Sequence, residues 1–175
     1  MNIASGARRS LMFVFNHELG VWEWVLVPDK VTPTITLVRG LPGAGKTTRA
    51  VELNRPVTVA ADDYFEHDGE YRFDPKSLPQ AHAWCLDQAT QGLRAGHDVV
   101  VHNTFTTRWE MEPYLNLAAS MGLSVGIVDE FDGGCSDEEL AERNTHGVPL
   151  VTIKGMRERW EENWQDGNPT PPWER

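Results

Sequence analysis

The 175-residue chain carries 26 acidic against 16 basic residues, a formal net charge of −10. That balance opposes broad, charge-driven adhesion to nucleic acid or anionic membrane, without excluding a local basic groove. With 40% hydrophobic and 24% charged residues, the length suits one globular domain with a sizeable core.

Residues 11–15 and 21–27 alternate around a turn-like NHELG, which predicts a β-hairpin. Trp22, Trp24 and Leu26 would share one face, as core or as cover for a sheet edge more readily than as a stacking surface. The same stretch is interrupted by Asn16, His17, Glu18 and Glu23, so it reads neither as a signal peptide nor as a membrane span. Cys85 and Cys135 lie far apart in no metal-ligand spacing, as thiols of a reducing compartment do. The expected setting is the cytoplasm, with no membrane partner. Pro28 to Pro33 read as a linker, so a hairpin extension over 1–33 precedes the main domain over 34–165. A Pro-rich, loosely held tail over 166–175 follows.

Strands and helices alternate through the main domain. TITLVR (34–39) is a β-branched run leading into a Gly-rich loop, and KTTRAVELN continues as a helix. VTVAA (57–61) is a second strand, ending at the pair Asp62-Asp63. A helix spans 76–95, with Leu78, Ala81, Cys85 and Leu86 on its apolar face and Gly96 as its stop. DVVVH (98–102) is a third strand. Thr107 and Glu110 fit a capping box for a helix reaching Met121 and ended by Gly122, although Pro113 predicts a later start or a kink. LSVGIVDEF (123–131) is a fourth strand. Ser136 and Glu139 make a second capping box, and Pro149 suits the first turn of a final helix. The alternation predicts an α/β fold with a mostly parallel sheet flanked by helices.

The loop itself reads GLPGAGKTT, with Gly40, Gly45, Lys46 and Thr47 satisfying the phosphate-loop spacing between a strand and a helix. Its glycines let backbone N–H groups turn toward phosphate oxygens, and the following helix adds free donors at its positive end. Gly40, Pro42, Gly43, Ala44, Gly45, Lys46, Thr47 and Thr48 are therefore expected to bind a nucleoside triphosphate. Lys46 would reach the β- and γ-phosphates, and the Thr47 hydroxyl would ligate Mg²⁺.

At the end of the second strand, Asp62 or Asp63 could take a proton from an attacking hydroxyl, or cap the following turn. The third strand ends in His102-Asn103 rather than in the acid a water-activating hydrolase commonly places there. That favours a kinase.

GLPGAGKTT, ADDYFEHDGEYRFDP, AHAWC, VHNTFTTRWEMEPY and ELAERNTHGVP occur in an order that resembles the kinase domains of phage polynucleotide kinases and NEDD4-binding protein 2-like proteins. The resemblance covers roughly residues 34–165. It implies a P-loop kinase fold with a helical lid, at about 132–150, and transfer of γ-phosphate from ATP or GTP to a hydroxyl. It also implies Asp62 as general base, Lys46 and Thr47 on the phosphates and metal, and Arg143 as a lid arginine. From its position alone, Arg143 could equally pair with Asp137 or Glu139. If phage-encoded, the protein would act in the cytoplasm of a host cell.

Departures from the family concern the acceptor. Phe65 stands where the phage enzymes have a substrate-clamping arginine, Phe105 replaces a second asparagine, and His146 replaces a second lid arginine. Asp63, Phe65, Asn103, Thr104, Phe105 and His146 are the expected acceptor contacts. Tyr64, Phe65, Phe105 and Trp109 could form an aromatic wall for a base, or pack in the core. His82 and Trp84 match the family but read as structural. Lys154, Arg157 and Arg159, interleaved with acids, read as a solvated helix face rather than a phosphate groove. The expected acceptor is a hydroxyl of nucleic acid, at a 5′ end or on a hydroxymethylated pyrimidine. A small nucleoside-like acceptor is the alternative within the same chemistry. An adaptor that binds nucleotide with little or no transfer is the alternative outside it.

Overall fold

The structure, a computed structural model, describes residues 9–16, 21–28 and 32–175, with side chains from residue 32. Two compact units divide between Thr32 and Pro33. In the first, β1 (Arg9–Asn16) pairs antiparallel with β2 (Val21–Pro28), Phe13 opposite Trp24 and Phe15 opposite Trp22. The tip of this hairpin, and the face shared by Trp22, Trp24 and Leu26, lie outside the described residues.

The second unit is built on β3 (Thr34–Arg39), β4 (Val57–Val59), β7 (Val99–Asn103) and β8 (Ser124–Asp129), parallel and in the order β4-β7-β3-β8. Alternation along each strand sends its side chains to two faces. Ile35, Leu37, Val99 and Val101 meet α2 (Leu78–Arg94) and α3 (Arg108–Met121), which bring Ala81, Cys85, Ala89, Leu93, Met111, Tyr114 and Ala118. On the opposite face Val38 and Val100 pack with Ala50 of α1 (Lys46–Leu53). Gly92 lets α2 lie close to the sheet, since a Cβ there would sit 3.0 Å from methyl groups of Val57 and Val99.

From β3 the chain crosses to the far edge at β4, returns to β7, then passes to β8 on the other side of β3. The winding direction thus reverses at β3. In sheets of this kind ligands bind beyond the carboxyl ends of the strands at that reversal. Over it lie α4 (Asp137–Arg143) and α5 (Leu150–Glu158), whose Leu140 and Ile153 share a separate small core with Leu41 and Ala44.

Several expectations are corrected. The second strand is only three residues long, and the acid pair sits beyond it in a 3₁₀ turn, Ala61–Phe65. A short hairpin of β5 (Glu66–His67) and β6 (Glu70–Tyr71) follows, turned by Asp68 and Gly69 at φ 53° and 79°. The α3 helix begins at Arg108, directly after its capping residue, and carries Pro113 inside it. In the tail a 3₁₀ turn, Pro172–Glu174, sets Trp173 edge-on to Trp109 with ring centroids 5.2 Å apart.

Candidate active site

The strand–loop–helix order puts residues 40–48 at the carboxyl end of β3 and the start of α1. Gly40 N–H donates to the carbonyl of Thr104 and Leu41 N–H to that of Phe131, anchoring the loop between the ends of β7 and β8. Gly45, at φ 100°, makes the left-handed turn from which α1 starts. Gly43, at φ 82°, meets the lid: a Cβ there would fall 2.5 Å from the carbonyl oxygen of Leu140. Lys46 Nζ donates to Leu41 O at 2.9 Å. Burial lowers the Lys46 pKa to about 8, and the charge of Asp62 opposes the shift. Thr47 and Thr48 are exposed on the first turn. The cleft beyond them, about 220 Å³, is lined by Gly45, Thr48, Arg49, Glu52, Glu130 and Arg143.

The two aspartates separate in role. Asp63 accepts the backbone N–H of Ala60 at 2.7 Å and caps its turn. Asp62 keeps its carboxylate on the open side, where Tyr71 Oη donates to Oδ1 at 3.2 Å and His146 Nε2 lies 3.8 Å from Oδ2. The turn carrying them is held from β7: buried Asn103 accepts Ala61 N–H on Oδ1 at 2.8 Å and donates to Cys85 Sγ. Asn103 thus supports the turn that carries Asp62 and Asp63, and Thr104 lends its carbonyl to the loop. Burial lowers the pKa of His102, with Asp63 and Asp62 opposing and Lys46 and His146 adding to the shift. Burial likewise lowers that of His82, against Glu110 and Asp62.

The aromatic wall is not assembled. Phe65 is buried against Tyr64, Tyr71 and Phe73, and Phe105 is buried edge-on to Tyr114. Trp109 instead meets Trp173. Arg143 is exposed on the last turn of α4 and has no carboxylate within 4.0 Å among the described residues. The pairing with Asp137 or Glu139 fails because Asp137 binds Arg157 and Glu139 closes the capping box with Ser136. Its guanidinium donates to Cys135 Sγ instead. The expected solvated face at 154–159 is tied down: Lys154 pairs with Glu138, Arg157 with Asp132 and Asp137, and Arg159 donates to Thr106 Oγ1.

Two residues escaped the sequence reading. Arg39, the last residue of β3, is fully buried. It donates to the carbonyls of Phe105, Thr106 and Glu161, and stacks 3.9 Å from the Trp160 ring. The signal available was a charged residue ending an otherwise apolar strand. Tyr71 is the other; an Asp-Gly turn three residues upstream was its local clue.

An AAA-domain family model matches residues 35–162. Human NEDD4-binding protein 2 (Homo sapiens) is 35% identical over 134 residues, a stretch that is 73% of this chain and 8% of that protein. The chain thus spans a small part of this relative. In fold it resembles a chain of the Pnkp1/Rnl/Hen1 RNA repair complex (TM-score 0.58, 18% identity, 73% of this chain and 44% of the other). It also resembles a crystal structure from Chloroflexus aurantiacus proposed to be a kinase (TM-score 0.56, 20% identity, 74% and 80%). With a phosphate loop at the reversal of a parallel sheet and a helical cover above it, the chain has a P-loop kinase-type fold and belongs to this AAA-domain family.

Proposed function

We propose that the protein is a kinase that moves the γ-phosphate of ATP or GTP to a hydroxyl of nucleic acid, at a 5′ end or on a hydroxymethylated pyrimidine. One observation carries this reading: Asp62, whose Oδ2 has no hydrogen bond among the described residues, lies within the electrostatic reach of Lys46. A carboxylate so placed accepts a proton from an alcohol next to a bound γ-phosphate. The acceptor oxygen forms its bond to phosphorus as the bond to the bridging oxygen breaks; the proton passes to Asp62, and a nucleoside diphosphate leaves. Lys46 and the N–H groups of Gly43, Gly45, Lys46, Thr47 and Thr48 would hold the phosphates, and Arg143, which has no ion pair among the described residues, would meet the charge on the transferring group. The cleft beside Arg49 and Arg143 receives the nucleoside.

The donor set fits Mg²⁺: Thr47 offers a hard, exposed oxygen on the first turn, and its hydroxyl has no hydrogen bond among the described residues. When bound, the ion would supply positive charge that offsets the charge of the phosphates. No helix among the described residues is long and apolar enough to cross a membrane. A small nucleoside-like acceptor is the second reading, favoured by the burial of Phe65 where an acceptor-clamping arginine would stand.

The test is transfer from radiolabelled ATP to 5′-hydroxyl oligonucleotides, hydroxymethyl-pyrimidine DNA and free nucleosides. Asp62→Asn is expected to lower kcat by about 10²–10⁴ with ATP affinity kept, and Lys46→Ala to weaken ATP binding itself. Tight ATP binding with no label on any acceptor, in the parent protein, would replace the kinase by a nucleotide-binding adaptor.

A further inference from the structure

Tyr71 stands on the short β5–β6 hairpin, yet it touches both partners of one gap. Its hydroxyl donates to Asp62 Oδ1 at 3.2 Å, and its ring lies 4.5 Å from the imidazole of His146, tilted by 42°. His146 belongs to the connection between α4 and α5 and brings Nε2 to 3.8 Å from Asp62 Oδ2. That separation is too long for a good hydrogen bond. A single oxygen about 2.8 Å from each atom nevertheless closes the triangle. The other groups facing Asp62 come from the loop (Lys46), α2 (His82) and β7 (His102), with Asp63 adjoining.

Resting on the kinase reading above, we propose that Asp62 Oδ2 and His146 Nε2 clamp the acceptor hydroxyl between them, and that Tyr71 is the positioning residue that sets the clamp. Tyr71 occupies Oδ1, so Oδ2 faces the acceptor. The hydroxyl donates its hydrogen to Oδ2 and accepts one from Nε2–H, which leaves a lone pair for attack on the γ-phosphorus. As the new O–P bond forms, the bond to the bridging oxygen breaks, its electron pair leaves with the nucleoside diphosphate, and the acceptor proton passes to Oδ2. His146 keeps its proton throughout and acts as a donor only. The clamp selects for an alcohol, which both donates and accepts; an ammonium cannot accept from Nε2–H.

The experiment measures kcat, acceptor KM and ATP Kd on 5′-hydroxyl oligonucleotides, hydroxymethyl-pyrimidine DNA and free nucleosides, with melting temperature as a control. Tyr71→Phe keeps the ring and is expected to lower kcat about tenfold with ATP Kd unchanged. His146→Leu is expected to raise acceptor KM and lower kcat, and His146→Gln, which restores an N–H at a similar reach, to recover most of both. The Tyr71→Phe/His146→Leu double variant should lose less than the product of the single losses, since the two share one function. The clamp is overturned if Tyr71→Phe stays within about twofold of the parent, or if the losses multiply, while Asp62→Asn still abolishes transfer. In that event the kinase reading stands. Should Tyr71→Phe lower the melting temperature, the Leu and Gln variants of His146 decide alone: equal loss in both sinks the clamp. Absence of transfer by the parent to all three acceptors sinks the kinase reading and the clamp together.

Discussion

Lys46 titrates near pH 8 because burial strips water from its ammonium faster than Asp62 can compensate. Only the protonated form attracts phosphate. The Kd for ATP is therefore expected to rise above pH 8, by up to about tenfold per pH unit, with a proton taken up on binding. Calorimetry in buffers of different ionisation enthalpy reads both; a flat Kd between pH 7 and 9.5 contradicts it. The sign for folding is opposite. Between about 8 and its ordinary 10.5 the unfolded lysine holds the proton that the folded one has lost, so this group makes folding more favourable as pH rises. Asn103 sets a second residue-scale expectation. Asn103→Leu leaves the Ala61 N–H without its acceptor, at a cost of about 1–3 kcal/mol. It also loosens the turn carrying Asp62, so kcat should fall while ATP Kd holds. Denaturant titration and steady-state kinetics on one preparation check the two effects.

Between elements, the phosphate loop and α4 meet at a close seam. Gly43 combines a left-handed backbone with a Cβ direction blocked by the Leu140 carbonyl. Gly43→Ala is expected to destabilise by about 2–4 kcal/mol, the sum of left-handed strain and a clash that moves α4 outward. Limited proteolysis should show the cut between residues 132 and 150 accelerated; unchanged protection there would mean the seam yields cheaply. These seams also show what the sequence discloses. The phosphate loop was legible because its glycines, lysine and threonine form a local backbone pattern within one strand–turn–helix step. The capping residues Thr107 and Ser136 were legible for the same reason, since their partners lie three residues on. Asn103 was not, for its side chain is defined by what the fold brings from elsewhere. Asn103 reaches a residue 42 positions away, and no local pattern marks that partner. Arg39 is the extreme, with acceptors 66, 67 and 122 positions distant.

Over the whole molecule, the charge of −10 bears on how an acceptor is held. A nucleic-acid acceptor gripped by few cations releases few counterions, at roughly 0.7 per phosphate neutralised on a single strand. The slope of log KM for a 5′-hydroxyl oligonucleotide against log salt is thus expected to stay below about 2. A steeper slope would reveal a basic groove that the overall charge conceals. The parallel sheet follows from the alternation of β-branched runs and helices, which was visible along the chain; its strand order and the small core of Leu41, Ala44, Leu140 and Ile153 were not, because each depends on packing between distant segments. Arg39 draws a last consequence from that distance, one concerning biosynthesis. The strand entering the phosphate loop ends in a charge whose acceptors include the backbone at Glu161, roofed by Trp160. On the ribosome, residues 34–48 emerge long before that segment exists, so the nascent strand holds a guanidinium with part of its shelter still unmade. The anchorage of the strand that enters this loop is therefore completed late in translation, when the stretch beyond α5 clears the exit tunnel and closes over Arg39.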